Sequence, residues 1–415
     1  MLTHGYVADD LVKVVLVPIV KSKTGDVTSK DNYRPIALAC VISKVFELLL
    51  IELSADKLES DDHQFAFKAE HSTDTCIFVF KQVVEYYNRN GSPVYACFLD
   101  ASKAFDRVNH WTLYKKLIEK RTPLIVVRVL MSWYSAQRFL VRWGRSYSYD
   151  FKVTNGVRQG GVMSPLLYNI YNDRLNVQLS SSKYGCEMNN TKLNNLSYAD
   201  DMVLLAPSVT GLQNLIHICE EYAAEHDTIY NTKKSICMMF CPQKRKFKSK
   251  PSTKLLGRNL EYVQEVTYLG HVISADLKDE SDIRRQYRSL CVRANMLSRR
   301  FGRCSDMVKS HLFRSYCISM YCAALWSNYS QKSIKSLQVC YNNALRMLLG
   351  RPRYCSASDM FVKAGLPSFY EYLRKSVYGF MQRINKSKNL LISCVTDGVM
   401  QDSKMWSKWN ELLYI

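Results

Sequence analysis

A chain of 415 residues with 47% hydrophobic content is long enough for two or three packed domains and too apolar for a disordered polymer. Its formal net charge of +20 is unevenly placed: residues 242–415 carry 30 Lys and Arg against 12 Asp and Glu, whereas residues 1–241 carry 27 against 25. A basic second part suits contact with a phosphate backbone, or else is simply a soluble basic surface.

The start, MLTHGYVADDL, lacks the basic residues and apolar core of a signal peptide. The apolar stretch that follows, LVKVVLVPIV, is interrupted by Lys13 and Pro18 and falls short of the ~18 residues of a membrane span, so no membrane insertion is expected. Residues 16–20 read as a strand, and SKTGDVTSKDN is a polar loop before YRPIAL. From Ile42 to Leu53 the apolar spacing is helical. QFAFKAEH, residues 64–71, opens a helix over 72–87. VYACFLD is an apolar strand that ends on Asp100, and AFDRVNHWTLYKKL reads as helix. Residues 123–134 form another helix, and 139–142 with 147–153 a hairpin about WGRS.

NGVRQGGVMSPLLYNIYNDRL gives a glycine-rich loop entering an apolar-faced helix; Gly160 and Gly161 allow close backbone approach to a ligand. In LSYADDMVLLA, residues 196–206, two short apolar runs meet at Asp200 and Asp201, which predicts two buried strands joined by a two-residue turn carrying both acids. Residues 211–224 make an amphipathic helix before NTKKSICMMF. CPQKRKFKSKPS is a basic, proline-bounded boundary. VTYLGHVIS reads as a hairpin. Beyond Asp276 the pattern is helical, with segments over 283–301, 307–326 and 334–349 in which Arg and Lys alternate with Tyr and Trp. The 14 cysteines lie mostly in apolar contexts, so they read as buried thiols of a reducing, intracellular compartment, nucleus or cytoplasm. His217 with Cys219 and Cys237 with Cys241 are close pairs, but no second pair at metal spacing completes a zinc site.

An adjacent acidic pair is most often a solvent-facing turn. Asp100 changes that weighing, because a second apolar strand ends on an acid where a sheet would deliver it to the same place. Three carboxylates at one spot repel one another, and a fold tolerates this mainly when a divalent cation sits among them. Hard oxygen ligands suit two-metal phosphoryl transfer, with two Mg²⁺, or Mn²⁺, about 3.5–4 Å apart.

The order FLDASKAFD, NGVRQGGVMSPLLYNIY, SYADD, NTKKS and TYLG, within about residues 15–274, resembles the reverse transcriptases of non-LTR (LINE-type) retrotransposons. That resemblance implies an α+β right hand with fingers, an antiparallel-sheet palm and a helical thumb, and RNA-directed DNA synthesis from an RNA template, a DNA primer and deoxynucleoside triphosphates. It implies metal binding by Asp100, Asp200 and Asp201. Arg34 matches the fingers arginine that meets the triphosphate, a role that suits its planar fork; a surface arginine placed by Pro35 is the plain alternative. Phe105 matches the aromatic beneath the incoming sugar that excludes a 2′-hydroxyl; a core phenylalanine is the plain alternative. Gln159, beside the two glycines, would meet the templating pair or sugar. Lys234 matches the lysine that could protonate pyrophosphate, or is a solvated lysine. Tyr268, Leu269 and Gly270 would support the primer terminus. The family's QFGFR block stands here as QFAFK, with Ala66 and Lys68 departing from it.

The expected division is fingers over 1–93, palm with inserted fingers elements and primer-grip hairpin over 94–275, and basic thumb with a C-terminal region over 276–415. Full-length elements of this family usually carry an endonuclease before the polymerase, so the chain reads as a truncated form. Two other readings stay open: an RNA-dependent RNA polymerase, which shares the acidic geometry, and a catalytically inactive RNA-binding relic.

Overall fold

The computed structural model describes residues 2, 4–242, 251–398 and 400–414. Most of the basic loop expected as a boundary, residues 243–250, lies outside the described residues. In the fingers, β1 (Lys13–Val20) and β2 (Tyr33–Leu38) pair antiparallel with Ile19 opposite Arg34. Helix α1 (Val41–Glu52) and α2 (Thr73–Arg89) follow, then β3 (Val94–Asp100), the central palm strand. Its burial is continuous because both faces are covered.

The expected helix over AFDRV is a correction. Residues Ala104–Arg107 form a 3₁₀ turn, and helix α3 (His110–Glu119) starts only where the Asn109 side chain accepts from the Thr112 N–H at 3.2 Å. The carbonyls that a helix would use are taken by the glycine loop: Val157 N–H donates to Phe105 O at 2.8 Å and Gly156 N–H to Val108 O at 2.7 Å. Helix α4 (Leu124–Ala136) leads to β4 (Arg138–Trp143), which runs parallel to β1 and completes the fingers sheet with the short strands Ser146–Tyr147 and Phe151–Lys152.

Helix α5 (Ser164–Ser180) precedes the hairpin of β5 (Asn195–Tyr198) and β6 (Asp201–Ala206). Helix α6 (Val209–Glu225) and β7 (Ile236–Phe240) finish the palm, whose strand order runs from the short strand Glu261–Tyr262 through β7, β3 and β6 to β5. The sheet is antiparallel except at the Glu261–Tyr262 edge, which pairs parallel to β7. Alternation sorts β3 onto two cores: Tyr95, Cys97 and Leu99 pack with α6, while Val94, Ala96 and Phe98 pack with α2. The hairpin β8 (Glu265–Tyr268) and β9 (His271–Ser274) then leads into the thumb.

Helices α7 (Glu280–Phe301), α8 (Asp306–Tyr316) and α9 (Gln331–Leu349) share their own core. The helix expected over 307–326 stops at Tyr316, because the chain beyond it is pinned by tertiary bonds: Met320 N–H donates to the Tyr372 hydroxyl at 2.9 Å, and Trp326 Nε1 donates to Asp282 at 2.9 Å. The C-terminal region expected within 276–415 packs against both the thumb core and the palm core. Helix α10 (Phe369–Lys386) turns Phe369 and Leu373 into the core of α7–α9 and Val377, Phe380 and Ile384 into that of α2, and with α11 (Leu390–Gly398) and α12 (Lys404–Leu413) it closes over α2. Phe78 of α2 meets both Phe380 and Trp409, at centroid distances of 5.5 and 6.1 Å. The C-terminal helices therefore cover the palm, and the first half of α10 also joins the thumb core.

Candidate active site

Register brings the acids together. Strand β6 lies between β5 and β3, with Asp201 directly opposite Asp100 on one side and Tyr198 on the other. Directly paired residues point to the same face with Cβ atoms about 5 Å apart. The turn itself corrects the sequence reading: its two residues are Ala199 and Asp200, and Asp201 is already the first residue of β6. Ala199 takes a φ of +57°, a left-handed conformation that costs a side chain other than glycine about 1 kcal/mol. Asp100 is braced from the other side by the NTKKS segment, whose Asn231 N–H donates to Asp100 O at 2.8 Å and whose Ser235 hydroxyl accepts from Asp100 N–H at 3.1 Å.

The carboxyls of Asp200 and Asp201 reach solvent, but the protein around them displaces enough water to raise both above the ordinary carboxylate range. For Asp201 the charges of Asp200 and Asp100 add to that displacement and push it up to about 6. Asp200 is raised by the same crowding and by Asp100, while its own backbone N–H and the Arg34 charge pull the other way. Hard oxygen donors crowded at one place fit a divalent cation. Among the described residues no three His, Cys, Asp or Glu side chains close into a preformed cation cage; a magnesium-type ion commonly takes one or two carboxylates and fills its shell from phosphates and water.

A pH dependence follows with a definite sign. Because the folded protein holds Asp201 above its ordinary value of 3.8, its contribution to metal-free stability is full below about pH 4 and is lost as the pH rises through about 6. Mn²⁺ binding should run the opposite way, strengthening as the pH rises through 6 and levelling above 7. Titration of the full chain with Mn²⁺ at several pH values checks this; affinity that is flat between pH 5 and 7 contradicts it.

The other expected residues are placed as follows. Phe105, half-buried, stacks on Tyr168 of α5 with centroids 4.6 Å apart and planes 12° from parallel. Gln159 donates from Nε2 to Asp106 Oδ1 at 3.1 Å, and its carbonyl accepts from Ala37 N–H of β2 at 2.7 Å, so the glycine loop is stitched to the fingers. Gly160 has a φ of +115°, and a Cβ there would stand 2.8 Å from Ala37 O, which is why the loop needs glycine at that point. Arg34 is exposed on β2, close enough to Asp200 to lower its carboxyl. Lys234 is exposed on the loop that braces Asp100.

Of the three primer-grip residues, Tyr268 is buried against Phe98, with centroids 5.2 Å apart, so its ring cannot touch a primer. Leu269 and Gly270, with φ of +46° and +78°, form the hairpin tip, held by the Tyr321 hydroxyl donating to Leu269 O at 2.7 Å.

Two residues escape the sequence reading. Glu47, on α1, is buried and pairs with Arg158 of the glycine loop while accepting from the Met163 N–H at 2.9 Å. Arg158 in turn lies over Trp133, 4.6 Å from the ring centroid. An acid set between the apolar Phe46 and Leu48 was the available signal. Gln64, the first residue of the QFAFK block, is buried against the Ala199 turn, a contact that its local sequence does not announce.

The chain is similar to known proteins. The transposon X-element protein of Drosophila melanogaster, named a probable RNA-directed DNA polymerase, is 27% identical over 382 residues, covering 88% of this chain and 40% of the relative. The jockey mobile-element RNA-directed DNA polymerase of the same organism is 23% identical over 390 residues, covering 90% and 42%. The chain thus spans about two-fifths of the length of the curated relatives it matches. A solved structure of apo telomerase from Candida tropicalis aligns over 97% of this chain and 69% of that one, with a TM-score of 0.49 and 13% identity. Residues 20–273, which run from the end of β1 through the acidic hairpin to β9, match the family described as reverse transcriptase (RNA-dependent DNA polymerase), and the chain belongs to that family.

Proposed function

We propose that this chain extends a DNA primer on an RNA template, joining the primer 3′-hydroxyl to the α-phosphorus of a deoxynucleoside triphosphate with loss of pyrophosphate. The observation that carries this is the direct opposition of Asp201 and Asp100, with Asp200 in the adjoining turn and Arg34 close by. The three carboxylates would hold two Mg²⁺, or Mn²⁺; such ions activate the attacking hydroxyl and stabilise the leaving oxygen. Arg34 would pair with the triphosphate, Phe105 would lie under the sugar, and Gln159, fixed by Asp106, would meet the templating pair. Lys234 would supply the proton for pyrophosphate. The tip Leu269–Gly270 would seat the primer, with buried Tyr268 fixing the tip from beneath. Fingers, palm and thumb are the functional divisions, the C-terminal helices serving as a cover for the palm.

The test is primer extension on a defined RNA template with Mg²⁺ and deoxynucleotides. Stepwise addition of complementary nucleotides is expected. A chain that binds the template and primer yet adds nothing would contradict it and favour an RNA-binding relic.

The duplex would lie along α7. Arg284, Arg288 and Arg299 are exposed on one face of that helix, and none of them joins an ion pair among the described residues. Replacing all three by Gln in the full chain should flatten the fall of log affinity with log salt by about 0.7–0.9 for each phosphate that the variant no longer neutralises. An unchanged slope for an RNA–DNA duplex contradicts this placement.

A further inference from the structure

We propose that Gln64 is a positioning residue for the catalytic turn: its side-chain amide holds Ala199 in the left-handed conformation that sets Asp200 and Asp201 beside Asp100. The proposal rests on the polymerase reading above. Gln64 is 1% exposed and sits in a segment that runs parallel to β5, with Phe65 N–H donating to Ser197 O and Ser197 N–H to His63 O, both at 2.8 Å. From there its Oε1 accepts from the Ala199 N–H at 2.9 Å and its Nε2 reaches the Ala199 carbonyl at 3.4 Å. The same Oε1 accepts from Ala66 N–H at 3.0 Å, which fixes the side chain to its own backbone.

Both backbone groups of Ala199 are therefore answered by one side chain. This matters because the residue carries a positive φ without being glycine. An alanine left to itself leaves that region, and leaving it rotates the following peptide, which carries Asp200. The adjoining β5–β6 pairing begins only at Tyr198 and Asp201, so the strands do not hold the turn residues themselves. Buried donors and acceptors in such a position need their partners, and a side chain that orients a metal-binding acid through the backbone acts as an outer support for the site.

The experiment compares the full chain with Gln64→Met and Gln64→Ala, each alone and combined with Ala199→Gly. Methionine keeps the volume and removes the amide. Mn²⁺ binding in the absence of nucleic acid and the single-turnover extension rate should both fall by about 10–100-fold in Gln64→Met, with affinity for the template–primer duplex and thermal stability little changed. Ala199→Gly, which adopts positive φ freely, should restore much of both in the Gln64→Met background. Wild-type Mn²⁺ binding and rate in Gln64→Met, or losses that glycine does not relieve, overturn the proposal. Failure of the wild type to extend any primer overturns the polymerase reading instead, and Mn²⁺ binding then still decides the role of Gln64.

Discussion

Asp201→Asn is expected to slow primer extension by roughly 10³-fold or more while leaving the metal-free chain at least as stable as the wild type. The loss follows from removing an anionic ligand from a site whose cations contribute several kcal/mol to the transition state, each ~1.4 kcal/mol being a factor of ten in rate. The unchanged stability follows from the register. Asp201 stands directly opposite Asp100, and like charges so placed destabilise a strand pair. An amide keeps the shape and removes the repulsion. Single-turnover extension and thermal unfolding in chelator measure the two halves separately. Wild-type extension by the mutant removes Asp201 from the chemistry, and a marked drop in melting temperature shows that the carboxylate is structural.

Phe105→Val is expected to raise ribonucleotide incorporation by about 10–200-fold relative to deoxynucleotide, the range that a change of hydrophobic volume gives in a pocket. The ring is half-buried and lies flat on Tyr168, so its position is fixed on one face. Exclusion of a 2′-hydroxyl by such a ring is steric and needs no hydrogen bond. Valine withdraws that volume and leaves the Tyr168 support in place, so deoxynucleotide extension should persist. Parallel extension with the two nucleotide sets on wild type and mutant decides it. Unchanged discrimination makes Phe105 a core residue, and a wild type that prefers ribonucleotides contradicts DNA synthesis.

Asp100 is legible in the sequence because an apolar strand ending on an acid is a local pattern, and the acidic hairpin because two apolar runs bracket it. The same patterns give the palm strands and most helices their types. Register is not legible: the direct opposition of Asp201 to Asp100 belongs to a pairing of strands a hundred residues apart. The turn lies one residue from its expected place because Ala199, not Asp201, takes a turn position in a left-handed conformation, and the side chain that bonds it there, Gln64, is distant in sequence. The helix expected over AFDRV does not form for a related reason, its carbonyls being taken by residues 156 and 157. The C-terminal helices show an apolar stripe but not what it meets, since a stripe announces burial and not its partner.

If the carboxylates at the β3–β6 edge seat the cations of nucleotidyl transfer, extension must depend on both the cation and Asp100. Single-turnover extension of a DNA primer on an RNA template, titrated with Mg²⁺ in wild type and in Asp100→Asn, tests this most directly. The expected result is a wild-type rate that is abolished by chelator and rises more than linearly with Mg²⁺ at low concentration, together with a near-complete loss of rate in Asp100→Asn at every Mg²⁺ concentration. Extension by Asp100→Asn at the wild-type rate, or extension by the wild type that persists in chelator, would contradict it.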